Sequence, residues 1–142
     1  MKTFETSSEE ETIQAGRAIA RDLPRKAIVL LIGNLGAGKT TLAKGIISGL
    51  GAAEAEEVSS PTFTLIHEYG GGRVYHVDLY RLDTEKQVAT LGLDEIFDRE
   101  SVVLIEWGEK FRELLPAQRI EIRLERAPQE EDSRNILIHS ML

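Results

Sequence analysis

From Ile32 to Gly45 the chain reads IGNLGAGKTTLAKG, in which Gly33, Gly38, Lys39 and Thr40 fit the spacing G-x-x-x-x-G-K-[ST], with a further glycine at 36. The chemistry such a spacing supports is phosphate binding. Glycines let the backbone curl so that several N–H groups converge on an anion, at the start of a helix whose dipole favours negative charge. Lys39 adds a point charge, and the Thr40 hydroxyl is suited to ligate Mg²⁺. A glycine-rich turn that merely fits the pattern is the competing explanation, and it weakens if a buried strand precedes the loop and an amphipathic helix follows it.

Other residue types gather around that chemistry. A magnesium site in such folds needs a carboxylate at the end of a neighbouring strand, and Glu106, directly after the apolar run VVLI, is the candidate; the alternative is a solvated glutamate at a strand terminus. Trp107 is the only tryptophan, and core packing and contact with a nucleotide both suit it. In RVYHVDLYRL, strand alternation puts His76, Asp78 and Tyr80 on one face and Tyr75, Val77 and Leu79 on the other. Asp78 could orient an attacking water, accept a proton or hold a magnesium-bound water, and Arg81 could contact phosphate. A polar outer face of a hairpin explains the same spacing equally well. The hydroxyls of SSPTFT, at Ser59, Ser60, Thr62 and Thr64, either cap a helix or meet a γ-phosphate, with Pro61 fixing the local backbone.

The elements that must position these groups follow from periodicity. KAIVLLIG is a continuous apolar run stopped by glycine, the mark of a strand buried on both faces of a parallel sheet. Residues 39 to 50 give an amphipathic helix through Leu42, Ile46, Ile47 and Leu50, closed by Gly51. The P-loop therefore has its strand and its helix. Upstream, MKTFET reads as a short strand and SSEEETIQAGRAIARDL as a helix with a capping box of Ser7 and Glu10, ended by Pro24. FTLIHEY and RVYHVDLYRL form a hairpin over the glycines at 70 to 72, residues 84 to 98 make one or two short helices, and SVVLIEW is a second buried strand ending on Glu106. IEIRLER and RNILIH alternate as a one-sided antiparallel pair across APQEEDS. The expected fold class is α/β: one P-loop NTPase domain over residues 1–142, with a central mostly parallel sheet flanked by helices, plus antiparallel hairpin strands.

Composition narrows the function classes. The chain has 142 residues, 42% of them hydrophobic, enough for one domain with a real core. Its 24 acidic against 17 basic residues give a formal charge of −7, which repels nucleic-acid phosphates at long range. If the protein serves nucleic-acid chemistry, a partner holds the nucleic acid. Zero cysteines exclude disulfides, thiolate metal sites and cysteine nucleophiles. No apolar run approaches the roughly 18 to 20 residues of a membrane span, and MKTFETSSEEET lacks the apolar core of a signal peptide, so a cytoplasmic protein is expected. The chain contains no N-K-x-D segment of the kind that reads guanine.

GNLGAGKTTLAKG, VSSPTFTLIHEY, HVDLYRL and IEWGEK, in that order, resemble the TsaE family, formerly called YjeE, of small bacterial P-loop ATPases. The resemblance runs from the first helix to Glu109. It implies an ATPase that supports synthesis of threonylcarbamoyladenosine at position 37 of tRNAs reading codons that begin with A, alongside the TsaD and TsaB proteins, with TsaD transferring threonylcarbamoyl from its adenylate. It implies nucleotide contacts from Gly33, Asn34, Leu35, Gly36, Ala37, Gly38, Lys39, Thr40 and Thr41, with Trp107 the aromatic beside them, and Mg²⁺ ligation by Thr40 and Glu106. The S-P-T-[FY]-T segment at Ser60 to Thr64 resembles a switch loop whose Thr62 faces the γ-phosphate, and Asp78 matches an aspartate implicated in hydrolysis; Lys39, Thr62 and Asp78 are thus the catalytic candidates. In one departure, the family's frequent Asp after the first glycine is Asn34 here, which keeps the size and loses the charge.

The cofactors implied are ATP and Mg²⁺, and the partners TsaD and TsaB, with tRNA reached only indirectly. Two rivals fit the P-loop: a small-molecule kinase, for which so short a chain offers no arginine-rich lid, and a non-hydrolytic switch, which Asn34 favours. The acidic surface and the absence of an exposed apolar heptad favour a monomer when the protein is alone.

Overall fold

A computed structural model describes residues 2–127 and 130–140. Residues 128 and 129 of the segment APQEEDS lie outside the described residues.

The chain's apolar runs become the middle of a seven-stranded sheet. These are β2 (Ala27–Ile32), β4 (Val74–Asp78) and β5 (Val102–Glu106), each buried at every position. Around them are β1 (Lys2–Thr6), β3 (Ile66–Tyr69), β6 (Ile120–Arg126) and β7 (Arg134–Ser140), in the order β1-β7-β6-β2-β5-β4-β3. The central ribbon β6-β2-β5-β4 is parallel, while β1, β7 and β3 are added antiparallel at the edges. This is the α/β class expected from the sequence.

Alternation divides the central strands between two cores. Val29, Leu31 and Leu104 pack with Ile19, Leu42 and Ile46 of the first two helices. Leu30, Ile105, Val77 and Leu79 pack on the other face with Ile96, Phe97 and Phe111. Helices on both faces explain why β2 and β5 run apolar on both faces up to Glu106. On β6, buried Ile120, Ile122 and Leu124 alternate with more exposed residues, so that strand is one-sided as its pattern predicts.

Helix α1 (Glu9–Asp22) is capped one residue later than the sequence suggests. Ser8 rather than Ser7 is the cap: its Oγ accepts from Glu11 N at 3.1 Å, and Glu11 Oε1 accepts from Ser7 N at 3.0 Å, so Glu10 has no part in it. With Glu9, Glu10 and Glu11 all in the first turn, the acidic residues complement the helix dipole wherever the cap falls, and the extended backbone of Ser8 decides the register. Helix α2 (Lys39–Gly49) ends as expected at Gly51, whose φ of 71° allows Gly51 N to donate to Ser48 O and Ala52 N to Ile47 O.

The two helices cross on glycines. A β-carbon on Gly16 would lie 2.6 Å from Leu42 O, one on Gly49 would lie 2.8 Å from Ala20 Cβ, and one on Gly45 would run into Ile13 O. Helix propensity alone favours Gly→Ala by up to about 1 kcal/mol. Close approach reverses the sign: Gly45→Ala is expected to destabilise the protein by about 1–3 kcal/mol through overpacking. Urea unfolding measures this; a variant as stable as the parent would mean that α2, which carries Lys39 and Thr40, is not held by this crossing.

Two short helices, α3 (Glu85–Ala89) and α4 (Leu93–Phe97), lead from β4 to β5. The hairpin β3–β4 turns over Gly70, Gly71 and Gly72, with φ of 61°, 65° and 94°. Its second strand is no outer face. Parallel pairing with β5 puts β4 inside the sheet, so His76 and Asp78 are buried and the solvated-hairpin explanation fails. Among the described residues no helix is long and apolar enough to cross a membrane.

Candidate functional site

Three buried strands end side by side. Leu31, near the end of β2, pairs with Glu106, and Asp78, the last residue of β4, also pairs with Glu106. The C-terminal edge of a parallel sheet is where such folds hold ligands, and here it opens into a cleft of about 400 Å³.

The glycine loop forms one wall. Ala37 N donates to Asn34 O at 2.9 Å and Leu42 N to Gly38 O at 2.9 Å, carrying the turn directly into α2. Gly36 and Gly38 have φ of 81° and 101°, which only glycine adopts without strain. Gly33 serves packing instead: a β-carbon there would lie 2.8 Å from Leu124 O and 2.9 Å from Ala37 Cβ. Leu35, Gly36, Gly38, Lys39, Thr40 and Thr41 line the cleft, whereas Gly33, Asn34 and Ala37 shape the loop behind it.

Lys39 is 5% exposed, and its ammonium has no hydrogen-bond partner among the described residues. It sits over the Trp107 indole, 3.4 Å from the ring centroid. Burial lowers its pKa from 10.5, although the nearby carboxylates of Glu106, Glu109 and Asp78 pull it back up. A buried cation with spare donors is an incomplete site, and a phosphate oxygen is the natural complement.

Glu106 is 3% exposed and held from two sides. Thr40 Oγ1 lies 3.2 Å from its Oε1 and 3.1 Å from its Oε2, and His76 Nε2 is 2.6 Å from Oε2. An ionised carboxylate only accepts, so Nε2 carries the proton in this contact. His76 thus orients the carboxylate, a role that alternation on its own strand could not reveal because the partner stands on β5.

Asp78 Oδ1 accepts from Tyr80 N at 2.8 Å, and Oδ2 accepts from Ser60 Oγ at 3.1 Å. Ser60 Oγ is in turn 3.1 Å from Thr62 Oγ1, so a chain of hydroxyls ties the 59–65 loop to the end of β4. Ser60 and Thr62 line the cleft, and Asp78, Glu106 and Trp107 close it. Leu65 and Trp107, with φ of 70° and 64°, are the non-glycine residues with positive φ among those described; Trp107 lines the cleft, and Leu65 O accepts from Asp78 N. Such backbone persists only where surrounding contacts hold it. Trp107 packs against the core beneath α3 and α4 and also lines the cleft, with Tyr80 edge-on at 4.9 Å.

Arg81 is a correction. Its guanidinium lies over the exposed Phe63 ring, 4.7 Å from the centroid, and is not part of the cleft. Ser59 and Thr64 are exposed and also stand outside it. Conversely, Arg134 of β7 lines the cleft, and nothing in RNILIH marked it.

Among the described residues, no group of three or more His, Asp or Glu side chains could by itself hold a metal ion. The donors present, one hydroxyl and one carboxylate, still fit Mg²⁺, which keeps several waters and binds through one or two protein oxygens together with phosphate.

Residues 6–136 match the family model described as threonylcarbamoyl adenosine biosynthesis protein TsaE. The chain is 41% identical over 130 residues to the tRNA threonylcarbamoyladenosine biosynthesis protein TsaE of Bacillus subtilis, covering 90% of this chain and 80% of the relative. The protein of the same description from Haemophilus influenzae is 43% identical over 114 residues, covering 78% and 69% respectively. Among solved structures, the crystal structure of Bacillus subtilis YdiB superposes with a TM-score of 0.79 at 35% identity, covering 99% of this chain and 86% of that one.

Proposed function

The chain belongs to the TsaE family, and from that premise we propose that it binds and hydrolyses ATP with Mg²⁺ in the P-loop cleft, in support of threonylcarbamoyladenosine synthesis at position 37 of tRNA. The observation that carries the reading is the buried ammonium of Lys39, unpartnered among the described residues, beside two carboxylates, Glu106 and Asp78, each fixed by its own hydrogen bonds.

In this reading the N–H groups of Leu35, Gly36, Gly38, Lys39, Thr40 and Thr41 and the Lys39 ammonium hold the β- and γ-phosphates, on a loop shaped by Gly33, Asn34 and Ala37. Thr40 and Glu106 hold Mg²⁺, which when bound neutralises charge on the phosphate oxygens. Asp78 orients a water for in-line attack and takes up its proton, Thr62 faces the γ-phosphate, and Trp107 flanks the nucleotide. The water oxygen bonds to the γ-phosphorus as the bond to the β–γ bridging oxygen breaks, releasing ADP and phosphate. Asn34, exposed at the loop and outside the cleft lining, leaves binding intact.

The net charge of −7 supports a protein that docks on TsaD and TsaB rather than gripping tRNA itself. Leu35, Phe63 and Tyr80, 77%, 82% and 47% exposed, stand beside the cleft or on the loop that lines it, and give such a partner apolar surface to cover. The protein acts in the cytoplasm, as one P-loop domain and a monomer when alone.

Glu106→Gln tests the metal assignment. It is expected to abolish most of the gain in ATP affinity that Mg²⁺ gives the parent, while binding without Mg²⁺ stays within about threefold. Calorimetric titration with and without Mg²⁺ reads both numbers, and a metal-dependent gain equal to the parent's would remove Glu106 from the metal site.

A further inference from the structure

A glycine loop can turn its N–H groups toward an anion only if its carbonyls point elsewhere, and those carbonyls need donors. Arg134 supplies them from across the sheet. Its Nε donates to Ala37 O at 2.8 Å and its Nη2 to Gly36 O at 3.3 Å, while Nη1 donates to Glu131 O at 2.6 Å and Ser133 O at 3.0 Å. The guanidinium is therefore tied on one side to the turn that precedes β7 and on the other to the P-loop.

A second arginine reinforces the pattern. Arg126 on β6 is directly opposite Arg134 in the β6–β7 register, and its Nη2 would be 3.8 Å from a β-carbon on Gly36. Like charges opposed across a strand pair cost stability. An acidic chain that nevertheless sets two guanidinium groups behind the same loop has an electrostatic reason to do so, and a bound polyphosphate is that reason.

We propose that Arg134 is a positioning residue for phosphate binding: it fixes the carbonyls of Gly36 and Ala37 outward and so holds the loop's N–H groups inward, with Arg126 adding positive field behind them. The inference rests on the cleft being a nucleotide site. It couples nucleotide affinity to the antiparallel β6–β7 pair, an element the P-loop pattern does not contain.

Titration calorimetry with ADP and ATP tests it on the full chain, with Lys39→Ala as the weakened-binding control and Ile138→Ala, a partly buried β7 residue away from the loop, as the control for lost stability. Arg134→Gln is expected to weaken both nucleotides by roughly tenfold. Arg134→Lys should do no better, because one ammonium cannot reproduce a planar fork shared among four carbonyls. Ile138→Ala should lower the melting temperature and leave affinity at the parent's value. Affinity of Arg134→Gln within about twofold of the parent, recovery by Arg134→Lys, or an equal loss in Ile138→Ala would each overturn the positioning role. Should Arg134→Gln not fold, Arg134→Lys alone decides, with parental affinity overturning the proposal. Failure of the parent itself to bind more tightly than Lys39→Ala overturns the nucleotide reading and this inference together, so the two failures are distinguishable.

Discussion

Lys39→Ala is expected to lower affinity for ADP and ATP by about 100-fold while leaving the nucleotide-free protein as stable as the parent or more so. The opposite signs come from one fact. Lys39 is 5% exposed with no hydrogen-bond partner for its ammonium among the described residues, and burial already depresses its pKa. In the absence of an anion that ammonium is a desolvated charge offset only by the face of Trp107 and by carboxylates it does not touch. Removing it relieves that cost. With phosphate present the same group gains charge-assisted hydrogen bonds, each contributing about 1.5–3 kcal/mol, and Lys39→Ala forfeits them. Chemical denaturation without nucleotide, paired with calorimetric titration, separates the two effects. A variant that loses stability and affinity in parallel would show that Lys39 belongs to the folding frame and is not a phosphate ligand held in reserve.

The second large effect belongs to Asp78. Asp78→Asn is expected to slow ATP hydrolysis by about 10²–10⁴ with ATP affinity changed by no more than about threefold. The carboxylate is 4% exposed, with Oδ1 held by Tyr80 N and Oδ2 by Ser60 Oγ. Asparagine has the same shape, its oxygen can still accept from Tyr80 N, and its amide can donate to Ser60 Oγ in place of accepting from it. Geometry is thereby kept and basicity lost. Ser60→Ala, which frees the 59–65 loop from Asp78 but leaves the carboxylate, should cost far less than Asp78→Asn. Equal losses in the two variants would assign Asp78 to anchoring the loop rather than to the attacking water.

The parts of this site that repeat locally were legible in the sequence. The P-loop spacing, the continuous apolar runs on either side of it and the position of Glu106 after VVLI depend on neighbours a few residues away, and the structure has each where the pattern put it. The capping box slipped by one residue because Ser7, Ser8, Glu9, Glu10 and Glu11 offer equivalent side chains, and only backbone geometry chooses among them. His76 was visible on the face of Asp78, yet its contact with Glu106 depends on the parallel register of β4 on β5, which no single-strand pattern encodes. Arg134 was invisible for the same reason at longer range, since 97 residues separate it from Ala37. Arg81 misled in the opposite direction: it directly follows the strand face that carries Asp78, but the chain leaves β4 at Asp78 and turns the guanidinium onto Phe63.

Phosphate release from ATP and Mg²⁺ by the parent protein, alone and with TsaD and TsaB, beside Lys39→Ala under the same conditions, tests the central claim most directly. A low rate alone that rises when both partners are added, and stays at background in Lys39→Ala, is the result expected of an ATPase that drives or resets the tRNA-modifying assembly. Nucleotide binding that promotes assembly, with release at the Lys39→Ala level even with both partners, would contradict hydrolysis at this cleft and leave a nucleotide-dependent switch, with Asn34→Asp the first reversion to make.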